Sequence, residues 1–347
     1  MPPLNLGLLI YGSLDTRSGG YLYDRRLVES LRAAGETVQV ISLPWRHYAA
    51  HLTDNLRFRL PPGLDLLIQD ELNHPSLIAA NASPHPYPVV SLVHHLRCSE
   101  ARPRWQNALY HRVERRYLRS VDGFIYNSET TRGEVERLLP LPGACVVARP
   151  PTDRFGLRVT EAEVTLRARR PGLRIAFLGN IIPRKGLHTL LEALRELPAS
   201  FRLDVIGSPR ADPAYARRME RLAAGLPVRF HGALEEEALA GLLREAQILA
   251  LPSSQEGFGI AWLEGMGFGL PALARDAGAA AEVITDGETG LLLPAADPHV
   301  LAEALRRLDS DRGLLEHLSL AARLHFLRQP AWESSVQAIR RFLQTML

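Results

Sequence analysis

The chain has 347 residues, of which 46% are hydrophobic and 23% are charged, and its formal net charge is +3. These values are typical of a globular protein with about two domains, and the small positive charge does not favour nucleic-acid binding. No run approaches the roughly 18 apolar residues of a membrane span, and the first residues, MPPLNLGLLIYGS, lack the features of a signal peptide. Cys98 and Cys145 provide neither a disulfide framework nor zinc-ligand spacing, so we expect a cytoplasmic protein.

Short apolar runs of the kind that form strands alternate with helix-length segments along the whole chain. In the first half they cover 6–13, 37–44, 64–70, 89–95, 123–128 and 145–150, and in the second half 173–180, 202–208, 228–234, 247–253, 271–276 and 290–294. Strands that are buried on both faces between crossover helices have this continuous apolar character. The sequence therefore predicts an α/β protein with doubly wound parallel sheets.

The alternation stops between about 151 and 172, in a polar stretch with prolines near both ends. We therefore predict an N-terminal domain over 1–155, a linker over 156–172 and a C-terminal domain over 173–328. Residues 329–347 have the pattern of a helix, which we expect to cross back onto the first domain. Two α/β domains of similar size are expected to face each other across a cleft, with ligands beyond the carboxyl ends of the strands.

Lys185 is the only lysine among the 41 lysine and arginine residues of the chain. It follows the apolar run LRIAFLGN, lies beside Arg184 and precedes a predicted helix. Two cations in this position predict an anion site, because the backbone N–H groups and the dipole of a helix N-terminus add to the side-chain charges. A pair of solvated loop cations is the alternative, and the position facing the predicted cleft makes it the less favoured one.

The segment SSQEGFGIAWLEG, residues 253–265, combines carboxylates with glycines. Glu256 lies in the loop after a predicted strand, and Glu264 follows eight residues later on a predicted helix that begins near Gly259. Gly257 and Gly259 allow the backbone to approach a ligand and to present N–H donors. The two carboxylates could accept hydrogen bonds from sugar hydroxyls on either side of a phosphate. On this spacing alone, ordinary capping or surface roles for both glutamates remain the alternative.

Further candidates lie in the predicted N-terminal domain. Gly19 and Gly20 follow the first strand and precede a helix, where glycine lets the backbone approach a phosphate or a sugar. The surrounding pattern is not G-x-G-x-x-G, and GMGFG at 265–269 ends a helix, so a nicotinamide-binding fingerprint is not indicated. His94 and His95 end the fourth apolar run, facing the predicted cleft, and one of them is a candidate functional residue.

Three segments resemble, in order, the C-terminal signature of the retaining glycosyltransferases of family 4: GNIIPRKGLHTLLEAL, PSSQEGFGIAWLEGMGFGLPALA and AAEVITDGETGLLLP. The resemblance covers essentially the whole chain, and three ordered motifs are more specific than any one of them. It implies the GT-B fold, with two Rossmann-like domains. It also implies transfer of a sugar from a nucleotide-diphosphate sugar to an acceptor hydroxyl.

The resemblance assigns roles to individual residues. Arg184 and Lys185 match the pair that binds the diphosphate of the donor. Glu264 matches the carboxylate that holds the ribose hydroxyls, whereas Glu256 and His94 match residues near the donor sugar. Gly20 would approach the diphosphate from the other domain. The resemblance also predicts a set of residues that contact the donor in addition to Arg184, Lys185, Glu256 and His94. They are Gly19, Gly20, Asn180, Phe230, Gly257, Phe258, Gly259, Ile260 and Glu264.

The chain departs from the family pattern at three places. The family usually has alanine at the positions of Gly265 and Gly267, and a Gly-Gly pair where this chain has GAAAE at 278–282. The segment around Arg229 and Phe230 corresponds to the base-binding region. These departures leave the predicted fold unchanged, but they affect the details of the predicted sugar pocket.

The resemblance also implies how the reaction proceeds. The acceptor attacks from the face of the leaving group, and the departing phosphate oxygen takes the acceptor proton, so no side-chain general base is required. Glu256 as a covalent nucleophile is the less favoured alternative. Preorganised cations can contribute several kcal/mol at a charge that grows in the transition state. We expect no metal-binding D-x-D motif and no metal cluster in the chain, so Arg184, Lys185 and the helix N-terminus would replace a metal ion, with no cofactor besides the donor substrate.

The first domain is expected to bind the acceptor, a saccharide or a lipid-linked saccharide. The stretch ARPRWQNALYHRVERRYLRS, residues 101–120, is basic and contains Trp105, Tyr110 and Tyr117, which suits peripheral contact with an anionic membrane at its inner face. However, Glu114 interrupts the positive charge, so a solvated helix flank is the simpler alternative.

Two other functions stay open on the sequence. One is a GT-B sugar epimerase or phosphorylase, which would use no acceptor alcohol or would use inorganic phosphate. The other is a two-domain solute-binding protein without catalysis, which predicts an export signal and does not require the Arg184–Lys185 pair.

Overall fold

The computed structural model describes residues 3–140, 143–151, 154–156, 159–197 and 200–347. The chain divides into two compact units. The first unit consists of Met1–Pro151 together with Pro330–Leu347, and the second unit is Thr152–Gln329. Each of the twelve apolar runs overlaps a strand of a parallel sheet, so the predicted α/β fold is confirmed.

The described strands of the first unit form one parallel sheet in the order β2-β1-β3-β4-β5-β6. They are β1 (Asn5–Tyr11), β2 (Thr37–Leu43), β3 (Leu66–Asp70), β4 (Val89–Val93), β5 (Gly123–Tyr126) and β6 (Ala144–Val147). The central strands β3 and β4 are buried along their whole length, as expected for strands covered by helices on both faces. The register pairs Leu6 with Leu66 and Leu67 with Val89.

Helices cover both faces of this first sheet. They are α1 (Gly19–Ala33), α2 (Tyr48–Leu52), α3 (His74–Asn81), α4 (Arg104–Leu118), α5 (Glu129–Leu138) and, from the end of the chain, α14 (Trp332–Thr345). Because successive strand residues point to opposite faces, alternate residues of β1 belong to different cores. Leu8 packs in the core with α1 and α14, whereas Leu9 packs in the core with α3, α4 and α5.

The described strands of the second unit form another parallel sheet in the order β12-β11-β10-β7-β8-β9. They are β7 (Leu173–Leu178), β8 (Phe201–Ile206), β9 (Val228–Gly232), β10 (Ile248–Leu251), β11 (Ala272–Arg275) and β12 (Gly290–Leu293). The helices are α6 (Glu161–Ala168), α7 (Leu187–Leu194), α8 (Pro213–Leu222), α9 (Glu236–Glu245), α10 (Ile260–Gly267), α11 (Ala280–Val283), α12 (Pro298–Ser310) and α13 (Arg312–Leu327). One continuous core joins this sheet to its helices.

The structure differs from the predicted linker over 156–172, because α6 lies within that range and packs in the second unit. Thr160 and Glu163 form a capping box at its start, which satisfies backbone N–H groups of the first turn. Val164 is fully buried in the core of the second unit, and the Arg167 guanidinium donates to the carbonyl oxygen of Phe268 at 2.6 Å. This segment is therefore part of the second unit and not a spacer.

The last helix, α14, packs in the first unit. The indole Nε1 of Trp332 donates to Ser30 Oγ on α1 at 2.9 Å, and Arg340 forms an ion pair with Glu36 at 2.7 Å. Among the described residues, no helix combines the length and the apolar character that crossing a membrane would require.

Candidate functional site

The second sheet reverses its strand order between β7 and β10, which are neighbours although two strands separate them in the chain. Ligands of open α/β sheets bind outside the carboxyl ends of the strands at such a point. The loops after β7 and β10 contact each other there. Gly186 has φ +73°, and a side chain on it would overlap the carbonyl oxygen of Pro252. The backbone N–H of Ser254 donates to the Arg184 carbonyl at 2.8 Å.

This contact brings Arg184, Lys185 and Glu256 together. Lys185 Nζ lies 2.7 Å from Glu256 Oε1, and the Arg184 guanidinium lies 3.4 Å from Glu256 Oε2. The side chains are largely buried, with 14% of Lys185 and 9% of Glu256 exposed. Burial alone would raise the pKa of Glu256, but the two cations outweigh it and lower the pKa to about 2. The two cations are thus not ordinary solvated loop residues, because a buried carboxylate holds both of them.

The second contribution from the β10 loop is the start of α10. Gly259 is the N-cap residue with φ +97°, and a side chain there would overlap the Trp262 ring. Glycine is therefore required to begin this helix beside the Glu256 loop. The Phe258 side chain is buried in the core, so only its backbone is available to a ligand, whereas Ile260 is half-buried. Residues 257–260 therefore place the N-terminus of α10 in the same loop as Glu256.

Glu264 does not join the Lys185–Glu256 cluster. Its carboxylate pairs with Arg154, whose guanidinium lies 3.0 Å from Oε1 and 4.8 Å from the Phe155 ring centroid. Burial raises the pKa of Glu264, and Arg154 partly offsets this effect. Sequence reasoning missed Arg154, which lies 110 positions before its partner and was placed near the predicted linker.

The other predicted donor contacts of the second unit are more widely spread. Asn180 follows β7 and is half-buried, and its carbonyl accepts from the Ile182 N–H at 2.9 Å. Phe230 lies on β9, the edge strand two positions from β7 in the sheet, and packs against the core. In the described part of the chain, the Asn180 side chain forms no hydrogen bond with Lys185 or Glu256.

Two of the departures from the family pattern, Gly265 and Gly267, have packing reasons. A Cβ on Gly265 would lie 3.0 Å from Leu249 Cδ2 on β10, and one on Gly267 would lie 3.1 Å from the Phe326 ring on α13. Both glycines thus let α10 approach its neighbours. Gly278 has φ +58°, and a Cβ there would lie 2.5 Å from the Glu256 carbonyl oxygen. The GAAAE segment therefore packs directly against the Glu256 backbone.

In the first unit, the strand order reverses between β1 and β3, and the candidate residues lie at that point. His94 follows β4, and its Nε2 lies 2.9 Å from Asp24 Oδ1 on α1. A Cβ on Gly20 would lie 3.3 Å from His94 Cδ2, so the glycine pair at the start of α1 is next to this ring, although Gly19 itself is exposed. Sequence reasoning missed Asp24, although its place in the apolar stripe of α1 was a usable signal.

Buried carboxyl groups surround His94. Burial alone would lower the pKa of His94, but Asp24, Asp70 and Glu71 outweigh it and raise the pKa to about 9. Burial and the nearby Asp24 raise the pKa of Asp70 to about 7. Burial also raises the pKa of Glu71, to about 8. His95 is different, because it is more exposed and pairs with Glu100 at 3.0 Å. Of these two histidines, His94 is therefore the one that lies among buried carboxyl groups.

Two groups of side chains in the described residues have ligand atoms close enough to hold a cation: Asp24, Asp70 and His94, and Glu71, His74 and Glu114. In the second group, both ring nitrogens of His74 have partners, Tyr48 Oη and the Glu71 carbonyl, each at 3.0 Å. The Glu114 carboxylate accepts from the backbone N–H groups of Arg97 and Cys98. His74 and Glu114 are thus engaged in hydrogen bonds, whereas Glu71 Oε1 is buried 3.0 Å from His74 Nδ1 without a hydrogen-bond partner among the described residues.

A D-x-D triplet does occur outside the candidate loops, at Asp309–Asp311. Asp309 pairs with Arg312, and Asp311 caps α13 by accepting from the Leu314 N–H at 2.8 Å. Both carboxylates thus have structural partners.

Comparison with known proteins identifies proteins that are similar to this chain. Residues 172–311 match the family model described as glycosyl transferases group 1. The chain is 29% identical over 242 residues to a D-inositol 3-phosphate glycosyltransferase of Streptomyces bingchenggensis, which covers 65% of this chain and 53% of that protein. It is 34% identical over 184 residues to a phosphatidyl-myo-inositol mannosyltransferase of Mycobacterium leprae, covering 51% of this chain and 48% of that one. The chain thus spans about half the length of these curated relatives.

Solved structures show the same fold along nearly the full chain. A sucrose-phosphate synthase of Thermosynechococcus elongatus superposes with a TM-score of 0.80 at 21% identity, over 99% of this chain and 98% of that one. Anabaena HepE, solved in complex with UDP and glucose, gives a TM-score of 0.75 at 18% identity, over 99% and 100%. The predicted GT-B fold is confirmed. In its fold, its matched C-terminal region and its three ordered motifs, the chain is thus similar to the group 1 glycosyltransferases.

Proposed function

We propose that this protein transfers a sugar from a nucleotide-diphosphate sugar to an acceptor hydroxyl, with retention of configuration and without a metal ion. The observation that carries the proposal is the Arg184–Lys185 pair at the carboxyl end of β7, where the sheet reverses its strand order. Complexes of HepE with UDP and with UDP-glucose support a donor of this class for a protein of the same fold. No observation favours the epimerase or phosphorylase alternative.

In the proposed reaction, the bond between the anomeric carbon and the donor phosphate oxygen breaks while a bond to the acceptor oxygen forms. The acceptor proton moves to the departing phosphate oxygen, so charges and atoms balance without a protein base. Lys185 and Arg184 stabilise the negative charge that develops on the diphosphate, and their burial strengthens this interaction relative to water. Glu264 and the start of α10 are proposed to hold the ribose and the diphosphate. The contacts of Gly19, Gly20, His94, Asn180 and Phe230 with the donor stay predictions.

A thermal-shift panel with UDP, GDP, ADP, TDP and NAD tests the donor class. A ligand that binds only the folded state stabilises it by about 2.7 kcal/mol at a hundredfold excess over its Kd. We expect a shift with at least one nucleoside diphosphate, and that base then selects the sugars to be assayed. No shift with any diphosphate, or a shift with NAD alone, contradicts the proposal. Product NMR then reports the anomeric configuration, and unchanged turnover in EDTA supports the absence of a metal.

We also propose that α4 makes peripheral contact with an anionic membrane, which suits a lipid-linked acceptor. The structure removes the objection that Glu114 interrupts the charge, because this side chain is 0% exposed and caps backbone N–H groups inside the unit. The outer face of α4 exposes Trp105 and Leu109 together with the cations Arg104, Arg112 and Arg116. An apolar and purely cationic helix face fits an anionic bilayer surface. The two cysteines are free thiols, as suits the cytoplasmic side.

Co-sedimentation with phosphatidylcholine vesicles, with and without phosphatidylglycerol, tests this contact. We expect binding only to the anionic vesicles. Replacing Arg112 and Arg116 by glutamine should weaken it by one to two orders of magnitude, at about 1 kcal/mol per arginine. The matched control replaces Arg217 and Arg218, two exposed arginines on α8, and should leave binding unchanged. Equal losses in both double variants would indicate nonspecific charge attraction and contradict a specific role for α4.

A further inference from the structure

The Glu256 carboxylate occupies the two cations that the proposed function assigns to the donor diphosphate. Its Oε1 is 2.7 Å from Lys185 Nζ and its Oε2 is 3.4 Å from Arg184. Both oxygens of the carboxylate therefore face the cations, and the cluster is already neutralised to one net positive charge. A diphosphate that approaches the same ammonium must either repel this carboxylate or take its place.

The backbone around Glu256 is held in position. The Glu256 carbonyl accepts from the Ala279 N–H at 3.0 Å, and Gly278 packs closely against its backbone. Arg184 donates to the carbonyl of the preceding residue, Gln255. A change in the position of this carboxylate is therefore expected to occur by rotation of the side chain. Protonation does not release it near neutral pH, because the two cations lower its pKa to about 2.

A carboxylate that leaves two cations needs new hydrogen-bond donors, because burying it unpaired is costly. The hydroxyls of a donor sugar supply such groups, whereas a free nucleoside diphosphate has no sugar beyond its phosphates. Displacement of Glu256 is therefore compensated when the donor binds, and it is not compensated when the product diphosphate remains.

We propose that Glu256 is a resident counter-ion of Lys185 and Arg184 that competes with the diphosphate and thereby favours the sugar-bearing nucleotide over the released nucleoside diphosphate. This inference rests on the proposed function for its substrate class. It gives Glu256 a specificity role in addition to its predicted contact with the donor sugar. The competing carboxylate and the two cations for which it competes all belong to this chain.

The test compares Glu256→Gln with Glu256→Asp by isothermal titration calorimetry. Glutamine keeps the size of the side chain and removes its charge, whereas aspartate keeps the charge. The probes are inorganic pyrophosphate, which requires no base recognition, and the nucleoside diphosphates UDP, GDP, ADP and TDP. Circular dichroism tests whether each variant is folded. If Glu256→Gln is unfolded, Glu256→Ala takes its place, because alanine removes the same charge.

We expect Glu256→Gln to bind pyrophosphate at least about tenfold more tightly than the wild type, and Glu256→Asp to stay within a few fold of it. The gain should disappear when Lys185→Ala is added. An unchanged or weaker affinity in the charge-removing variant overturns the inference, whether or not any nucleotide binds. If pyrophosphate affinity rises while no nucleoside diphosphate binds to either protein, the counter-ion role stands and the nucleotide-sugar function fails.

For the nucleotide that binds the wild type, the matching nucleotide sugar completes the test. The ratio of the two dissociation constants should shift towards the free diphosphate in Glu256→Gln by about tenfold. A ratio equal to that of the wild type would show that Glu256 does not discriminate between them and would overturn the specificity role.

Discussion

The crevices at the two strand-order reversals hold buried charge in opposite ways. In the second unit, Lys185 and Arg184 face a carboxylate that stays ionised, and its pKa is lowered to about 2. In the first unit, Asp70 and Glu71 are buried with few cations, and their pKa values rise to about 7 and 8. The same topology thus supports an ion-paired site and a site that retains protons. Removing a charge should therefore destabilise the ion-paired site of the second unit. Removing a carboxyl group that retains its proton should stabilise the site of the first unit.

The largest effect is expected from Lys185→Ala. The variant should lose about a hundredfold in nucleoside-diphosphate affinity, since removing one preorganised donor from an anion site costs about 2.7–4 kcal/mol. It should also lose roughly 1–3 kcal/mol of unfolding free energy, because Glu256 then keeps only the more distant Arg184. Calorimetry and thermal unfolding measure the two losses. Retention of full nucleotide affinity would contradict a role of Lys185 in binding the diphosphate.

Asp24→Asn should remove the charge that keeps His94 protonated in the crevice of the first unit. The pKa of His94 should fall from about 9 to its ordinary value of about 6.5 or below, because burial opposes the imidazolium once the Asp24 charge is gone. NMR titration of the His94 ring, assigned by its absence in His94→Gln, measures this change. Glu29→Gln, an exposed carboxylate on the same helix, is the control and should leave the titration unchanged. A His94 pKa that stays near 9 in Asp24→Asn would show that Asp24 is not its main partner.

Asp70→Asn should stabilise the first unit at high pH. The folded-state pKa of Asp70 is raised above its unfolded value, so its contribution to stability is fully present below about 3.8 and is lost as the pH rises through about 7. Asparagine removes this loss while keeping an oxygen for the Leu72 N–H. We expect a gain of at least about 1 kcal/mol at pH 8, or about 2–4 °C in Tm, a smaller gain at pH 5 and almost no gain below the unfolded-state pKa of about 3.8. Destabilisation at pH 8 would mean that the ionised form is held in place.

The smallest effect is expected from Arg154→Gln, which leaves Glu264 buried without its cation. Burial then raises the folded-state pKa of Glu264 further, so the cost is absent below the unfolded pKa of about 4.5 and grows as the pH rises. We expect a loss of about 1 kcal/mol at pH 7 and almost none at pH 4, measured by thermal unfolding at both values. Arg210→Gln, at an exposed arginine of the same unit, is the control. Equal losses at both pH values would indicate that Arg154 acts by packing on Phe155.

The sequence predicted the sheets well because each strand is a short apolar run, and central strands such as β3 and β4 are buried along their whole length. It failed at 156–172, where polar composition and prolines indicated a linker. The signal for α6 was present in Thr160 and Glu163, whose spacing is that of a capping box, followed by the buried Val164. Local composition alone could not show that this helix has a core to pack against.

The candidate site was predictable in its motifs and not in its pairings. Lys185 and Glu256 are 71 positions apart, and only the strand order of the folded sheet brings them together. Glu114 is a different case, because its inward direction could have been read from the buried Tyr117 and Leu118 three and four positions later on the same helix face. Whether a charge on an amphipathic helix is solvated depends on its phase relative to the apolar stripe.

The position of α14 in the first unit has a consequence for synthesis on the ribosome. Trp332, Ile339 and Leu343 fill the same core as Leu8 of β1 and Leu27 of α1. This core therefore stays incomplete until residues 330–347 have emerged, whereas the second unit is contiguous and can complete its core before them. The first unit to be translated is thus expected to be the last to complete its core.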